Sequence, residues 1–446
     1  MATGGIVEGI FWLGCTHWAY KRCTLSGDSD SHSWPLTSVS TFSPIPRIAR
    51  AILSVYEPDL SHPQWPPSVP SPVSISNLSK RISYSQTHGH CPPYLIYVDT
   101  TNREIVVAIR GLHLLSNSDY SLLLDDKPGL QPLDSGYVHH GLYKAAVWLL
   151  SYEAPVLRRL LREHGPDFKL VLAGHSLGAG VAALATLLLV NHLDRFGGLT
   201  RSRVRCYAVA PPRCMSLNLA VKYADVIHSV ILQDDFLPRT STPLQYMFGS
   251  IFCLPCLLCF VCMRDTFTSE EKKLKDPRRL YAPGRMFHIV DRKFCRCGRY
   301  PPEVRTAIPV EGRFEHIVLS CSTTSDHQII LIEREAQKAL DRMKEDEEAN
   351  LAPMQQRMNR NQSFEEEHKH AIEKTVNLNE PHVEALTQEN STSAMVNNAV
   401  SSHCNSNSTQ EETDWEKLYE KLFECDDHEL EIENNIVAKE NENNIV

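Results

Sequence analysis

Up to about residue 345 the chain alternates between short runs that are apolar at nearly every position and longer stretches whose apolar residues recur three and four apart. Y-L-I-Y-V-D (94–99) and E-I-V-V-A-I (104–109), joined by T-T-N-R, predict a hairpin. F-K-L-V-L-A (168–173), the β-branched stretch A-D-V-I-H-S-V-I-L (224–232) and I-V-L-S-C-S (317–322) read as further strands. Between and after them lie helical patterns. One spans 138–165, with Leu142, Ala145, Ala146 and Leu149 on a single face; a small-residue helix opens at Leu177; another begins with I-I-L-I-E-R-E-A-Q-K-A-L at Ile329. Strands alternating with helices predict an α/β domain with a mostly parallel sheet flanked by helices.

The junction of the third strand and its helix carries chemistry. Gly174-His175-Ser176-Leu177-Gly178 is a G-x-S-x-G turn in which glycines permit a sharp strand-to-helix reversal, so that a serine hydroxyl stands above the sheet edge. Ala179, Gly180, Ala182 and Ala183 allow the helix to lie close to the sheet. A serine hydroxyl needs a base within hydrogen-bond reach and a carboxylate to orient that base. In such folds the acid and then the base follow the serine along the chain. Asp234 and Asp235 end the β-branched run before Pro238, and spacing alone does not separate them as the acid. His327 stands between a strand-like run and a helix, where the base belongs; His316, at the other end of the run, is the rival, while His139, His140 and His175 read as structural or pocket-shaping. The Leu177 N–H, directly after the serine, and the Leu112 N–H, at the end of the hairpin's second strand, are the expected oxyanion donors. This chemistry requires no metal and no cofactor.

The ordered set I-V-V-A-I-R-G, V-H-H-G-L, L-A-G-H-S-L-G-A-G, A-V-A-P-P-R, D-F-L-P-R and S-D-H resembles the class 3, fungal-type lipases over roughly residues 90 to 340, and most of all their sn-1-specific diacylglycerol lipase branch. The resemblance implies an α/β-hydrolase fold. It implies Ser176 as nucleophile, His327 as base, and Asp235 as acid, because the family's aspartate stands three residues before a proline. It also implies a lid that begins near Leu112, Leu114, Leu115, Tyr120 and Leu122. One departure concerns the oxyanion hole. Many relatives have Ser or Thr after the Arg-Gly, where this chain has Leu112, which implies an altered or slower hole with the backbone donor kept. The implied reaction is hydrolysis of acyl esters of a membrane glycerolipid, diacylglycerol or monoacylglycerol. The alternatives are a phospholipase A1 or galactolipase and, in another class, a membrane-associated regulatory scaffold with a decayed site.

Charge divides the chain unevenly. Residues 345–446 hold 24 acidic and 7 basic side chains, so with a net charge of -9 overall the first 344 carry about +8. Residues 264–299 hold 11 basic and 5 acidic residues and follow an uncharged run, 247–263, too short for a comfortable membrane span. Together they predict a membrane-facing insert over 246–300, with its cationic part at an anionic lipid surface. Diacylglycerol lipases carry such an insert between the strands bearing the acid and the base. Cys253, Cys256, Cys259 and Cys262 repeat every third residue; on a helix they drift round the axis instead of converging on a metal, and S-acylation is the better reading. The remaining boundaries are an accessory segment over 1–90, whose Trp12, Trp18, Tyr20 and Trp34 suit either a membrane interface or the sheet, and a mostly disordered acidic tail over 345–446. Trp415, Leu418, Tyr419, Leu422 and Phe423 mark one apolar face within that tail. The fourteen cysteines show no paired framework and no secretory leader opens the chain, so a cytoplasmic, peripherally membrane-associated enzyme with no nucleic-acid partner is expected.

Overall fold

The computed structural model describes residues 26–64, 69–112, 131–240, 279–292, 300–309, 322–349 and 366–372, with a few single positions between them. Its strands are β1 (Leu78–Ile82), β2 (Tyr94–Asp99), β3 (Glu104–Ile109), the short ribbon β4 (Pro132–Leu133) and β5 (Gly136–Tyr137), β6 (Lys169–His175), β7 (Val204–Val209), β8 (Ile227–Leu232), β9 (Arg285–Val290) and β10 (Glu303–Ala307). One sheet has the order β1-β2-β3-β6-β7-β8-β9-β10. From β3 to β9 all neighbours are parallel, while β1, β2 and β10 add antiparallel edges. The C-terminal ends of the parallel strands therefore share one rim, the place where sheets of this kind bind ligands.

The strands are apolar at nearly every position because both faces are covered. Ahead of the tail, the described α-helices of five residues or more are α1 (Gly27–Ser31), α2 (Pro44–Tyr56), α3 (His140–His164), α4 (Leu177–Asn191), α5 (Leu217–Lys222) and α6 (Ile329–Ala349). On one face, Leu170 and Leu172 of β6 and Ile105 and Val107 of β3 pack against α3 and α4. On the other, Val171, Ala173, Val106 and Ala108 meet α2 (Pro44–Tyr56) and α6 (Ile329–Ala349). Each such Val, Leu or Ile side chain contributes about 1.5–3 kcal/mol of burial. Helix α4 is buried on all sides from Leu177 to Leu189, lodged between the sheet and α3, which explains its small residues. The result is the three-layer α/β-hydrolase arrangement.

Three expectations about organisation change. The boundary near residue 90 does not separate two cores: β1 pairs with β2, α2 covers the sheet, and the Arg47 guanidinium forks to Asp99 (2.7 Å) and Glu104 (2.5 Å) at the hairpin end. Trp34 is buried against Phe314, with ring centroids 5.4 Å apart. The insert cannot extend over 246–300, because β9 lies within that range, paired on both sides in the sheet. Consequently Arg279 is buried, Arg285 donates from Nε to Thr306 Oγ1 (2.8 Å), and Arg292 is held by carboxylates; these three basic residues serve the body. The strand expected over 317–322 is absent at Val318, Ser320 and Ser322. There the hydroxyls compete for the backbone, with Thr323 Oγ1 donating to the Val318 carbonyl (2.9 Å) and accepting from the Ser320 N–H (3.0 Å). Within the acidic stretch, 366–372 is helical, Ala371 is buried, and His368 Nε2 bonds the Val221 carbonyl at 2.9 Å. The uncharged run 247–263, its four cysteines, His316 and the 415–423 face lie outside the described residues.

Candidate active site

Ser176 is the single residue between β6 and α4, with φ 53° and ψ -121°. A non-glycine residue held there costs about 1–3 kcal/mol, so its neighbours must enforce the geometry. They do so by close approach. A Cβ on Gly174 would overlap the Gly178 carbonyl, and a Cβ on Gly178 would overlap the Arg110 carbonyl at the exit of β3. The Ser176 N–H is tied to the Val209 carbonyl of β7 at 2.9 Å. Leu177, the first helical residue, has an N–H with no acceptor inside its own helix.

From this elbow a continuous hydrogen-bonded chain runs to two distant loops. His327 Nε2 is 2.9 Å from Ser176 Oγ, and His327 Nδ1 is 3.0 Å from Asp235 Oδ1. A carboxylate only accepts, so Nδ1 carries the hydrogen and Nε2 is left to accept from the serine hydroxyl. Asp235 is fully buried and also accepts from the Leu237 N–H at 3.1 Å; the His327 ring is gripped between Phe236 (5.2 Å) and His175 (5.0 Å). Asp235 follows β8, and His327 closes a turn just before α6. Asp234 faces elsewhere, accepting from the Gly27 N–H at 3.0 Å.

Behind the serine lies a relay in which Tyr56 is unannounced by any motif. His175 Nε2 is 2.8 Å from the His327 carbonyl, which can only accept, so Nε2 donates and Nδ1 is the acceptor. The Tyr56 hydroxyl, 2.8 Å from that Nδ1, therefore donates to it, and itself accepts from the Gly111 N–H at 2.7 Å. Burial, with His327 alongside, lowers the His175 pKa to about 3, so the ring is neutral and this tautomer persists. Burial likewise raises the Tyr56 pKa, keeping its hydroxyl protonated. One line of hydrogen bonds thus joins the turn before Leu112, the elbow and the backbone of His327. Helix α2 supplies Tyr56, and the spacing of Ile45, Ile48 and Ile52 was the available signal for that helix.

Other supports come from motif residues. Arg213, the arginine of A-P-P-R, donates from Nε to the Pro238 carbonyl (3.0 Å) and from Nη2 to the Phe314 carbonyl (2.7 Å), bracing the loop that carries Asp235. Leu112 and Leu122 pack on the core, whereas Leu114, Leu115 and Tyr120 lie outside the described residues. His139 caps α3 by accepting from the Leu142 N–H, and His140 is buried in its first turn. Cys91, Cys206 and Cys214 are buried free thiols, the Cys206 thiol pushed up to about 12 by burial. Among the described residues no group of three or more His, Cys, Asp or Glu side chains is placed to hold a metal, and no helix is long and apolar enough to cross a membrane.

Comparison with known proteins follows the same outline. The family model for lipase (class 3) matches residues 106–245, and that for the lipase 3 N-terminal region matches 6–70. The chain is 30% identical over 164 residues to diacylglycerol lipase-beta of Mus musculus, covering 33% of this chain and 22% of that protein. It is 27% identical over 171 residues to diacylglycerol lipase-alpha of Homo sapiens, covering 35% and 16%. The match thus spans about a fifth, or less, of those relatives' length. Among solved structures, lipase II from Rhizopus niveus has a TM-score of 0.44 at 16% identity, covering 68% of this chain and 98% of that one. A mutant form of MDLA from Penicillium cyclopium has a TM-score of 0.43 at 19% identity, covering 67% and 99%. Two matches thus lie in tandem along the chain: residues 6–70 are similar to the lipase 3 N-terminal region, and residues 106–245, which include the Ser176 elbow and Asp235, are similar to the class 3 lipases.

Proposed function

We propose that this protein is a serine lipase that hydrolyses acyl esters of membrane glycerolipids, with diacylglycerol as the first substrate. The observation that carries the reading is the unbroken contact from Ser176 Oγ through the His327 ring to Asp235. In the reaction Ser176 Oγ attacks the ester carbonyl while His327 Nε2 takes its proton, and Asp235 holds the ring and stabilises the imidazolium. The carbonyl electrons move onto an oxygen that the Leu177 and Leu112 amides receive. Collapse expels the lyso-lipid alcohol, protonated by His327, and water then repeats the sequence on the acyl-serine to release the fatty acid.

The substrate class is supported by the two diacylglycerol lipases matched in sequence. We assign the reaction to a cytoplasmic membrane surface, with the uncharged run 247–263 and basic residues of 264–278 as the contact, on the strength of their composition. Within the chain, residues from about 26 to 344 act as the catalytic body and the acidic stretch after 345 as an appendage.

The test is a fluorophosphonate probe followed by a lipid panel, with wild type beside Ser176→Ala. Wild type should be labelled and should release fatty acid from diacylglycerol, and Ser176→Ala should do neither. Absence of labelling would favour the scaffold alternative. Preference for phospholipid or galactolipid head groups would move the assignment to a phospholipase A1 or galactolipase.

A further inference from the structure

One residue along from the acid and one before the base, a second linked set of side chains joins the same two loops. The Asp234 N–H donates to Asp326 Oδ2 at 3.0 Å, while Asp234 Oδ1 is fixed by the Gly27 N–H at 3.0 Å. Arg292, two residues beyond β9, donates from Nη2 to Asp326 Oδ2; the same Nη2 is 3.4 Å from Asp234 Oδ2, and Nη1 is 3.5 Å from Asp291 Oδ1. Its backbone is held as well, the Arg292 and Asp291 N–H groups both donating to Gln233 Oε1 at 3.1 and 2.9 Å. A single guanidinium therefore spans the loops that leave β8, β9 and the turn before α6. The other charged group facing Asp326 is Arg239, itself paired with Asp30. Burial raises the Asp326 carboxyl to about 6 against the pull of Arg292, so this carboxylate is held ionised at neutral pH chiefly by that arginine. None of these groups takes part in the chemical steps described above.

We propose that Arg292 is a positioning residue: by pairing with Asp326 and Asp234 it sets the separation of the His327 and Asp235 loops, and thereby the His327 Nε2 to Ser176 Oγ contact. The effect on rate rests on the serine-lipase reading; the effect on the His327 hydrogen bond does not. Each paired carboxylate adjoins its triad member directly along the chain, so a shift at Arg292 passes on with little attenuation. A misplacement of about 1 Å at a reacting pair costs about 10²-fold in rate. Lysine offers a point charge without the planar fork and should hold only one loop at a time.

The experiment uses full-length wild type, Arg292→Met and Arg292→Lys. The rate of fluorophosphonate labelling of Ser176, kcat and KM on a dispersed ester, and the low-field proton resonance of His327 Nδ1–H, assigned by its loss in His327→Gln, are measured for each. Arg292→Met should label about 100-fold more slowly with KM nearly unchanged and lose the low-field resonance, and Arg292→Lys should fall between. The guanidinium site is partly open, so millimolar guanidinium ion, and not sodium at equal ionic strength, should recover about tenfold of the Arg292→Met loss. Labelling within about threefold of wild type with the resonance in place, in either folded variant, would overturn the proposal. If Arg292→Met fails to fold, Arg292→Lys decides by the same two readouts. If wild type itself is not labelled, the lipase reading falls, and the resonance alone decides whether Arg292 positions His327.

Discussion

Replacing Tyr56 by Phe removes one oxygen and keeps the ring, which isolates the relay behind the serine. Two hydrogen bonds vanish, from the Gly111 N–H (2.7 Å) and to His175 Nδ1 (2.8 Å), and water has little room where the hydroxyl sat between them. Each buried group left without a partner costs about 1–3 kcal/mol, and the preserved ring adds almost no cavity term, so the expected destabilisation is about 2–5 kcal/mol. The kinetic consequence follows from where the two orphaned groups lie. Gly111 precedes the Leu112 amide, and His175 supports the His327 carbonyl, so both the oxyanion side and the base side loosen. We expect kcat to fall about 10- to 100-fold with KM little changed, the pattern of an interaction felt mainly in the transition state. Urea unfolding and steady-state hydrolysis of a soluble ester measure the two effects. A double-mutant cycle with His175→Phe should give a coupling of at least about 0.5 kcal/mol, since the two side chains share a bond. A stability change under about 0.5 kcal/mol, together with unchanged kcat, would refute the relay.

Three further outcomes are expected. Gly178→Ala would drive a Cβ into the Arg110 carbonyl, backbone against backbone, so thermal unfolding should show a loss of about 3 kcal/mol or more and fluorophosphonate labelling should cease; an unchanged melting temperature would contradict the close approach. His175 and His228 are depressed from 6.5 to about 3 by burial and His288 lies well below 6.5, so their stabilising contribution is complete above about pH 6.5 and is lost as pH falls toward their folded values. Asp326, raised from 3.8 to about 6, has the opposite sign, favouring the folded state at low pH and losing that contribution as pH rises through about 6. Stability should therefore fall by up to about 3 kcal/mol per pH unit near pH 5, and more steeply in Asp326→Asn; urea titrations that are flat from pH 7 to 5 would exclude neutral buried histidines. Leu112→Ser supplies the hydroxyl found in many relatives, and pre-steady-state acylation should quicken by about tenfold; a slower rate would place the hole elsewhere.

Much of the fold was legible because the central strands are covered on both sides and therefore read as continuous apolar runs, as at 94–99, 104–109 and 168–173. The helix over 138–165 was equally plain and forms as His140–His164. Strand β9 was missed for an instructive reason: R-M-F-H-I-V sits amid arginines, and averaging charge across 264–299 concealed a six-residue segment whose Phe287 and Ile289 belong to the core. The first ninety residues were read as an accessory segment, and helix α2 within them opens on Pro44 and Pro46, a residue type that would break a helix in its interior. Proline in the first helical turn instead gives up an N–H that has no partner in any case.

The site divides along the same line. Ser176 announces itself locally by its glycines, because the elbow dictates the nearby backbone; Asp235 was separated from Asp234 only through the resemblance, and His327 precedes the helix that opens at Ile329 but follows a turn in place of the strand expected over 317–322. Tyr56, Arg213 and Arg292 act on backbone atoms, an imidazole and carboxylates 25 to 119 residues away, and no local pattern encodes such a partner. Their separation is also why they matter. The serine and the base are 151 residues apart and the acid and base 92, so the contacts between them must overcome loop closure and would be loose if each loop were held only at its own strand. Tyr56 with His175 fixes the base from the elbow side, and Arg292 with Asp326 fixes it from the acid side. Because these supports grip the backbone and flanking residues, leaving the imidazole itself free to exchange its proton, the ring can stay in place while its charge changes during the reaction.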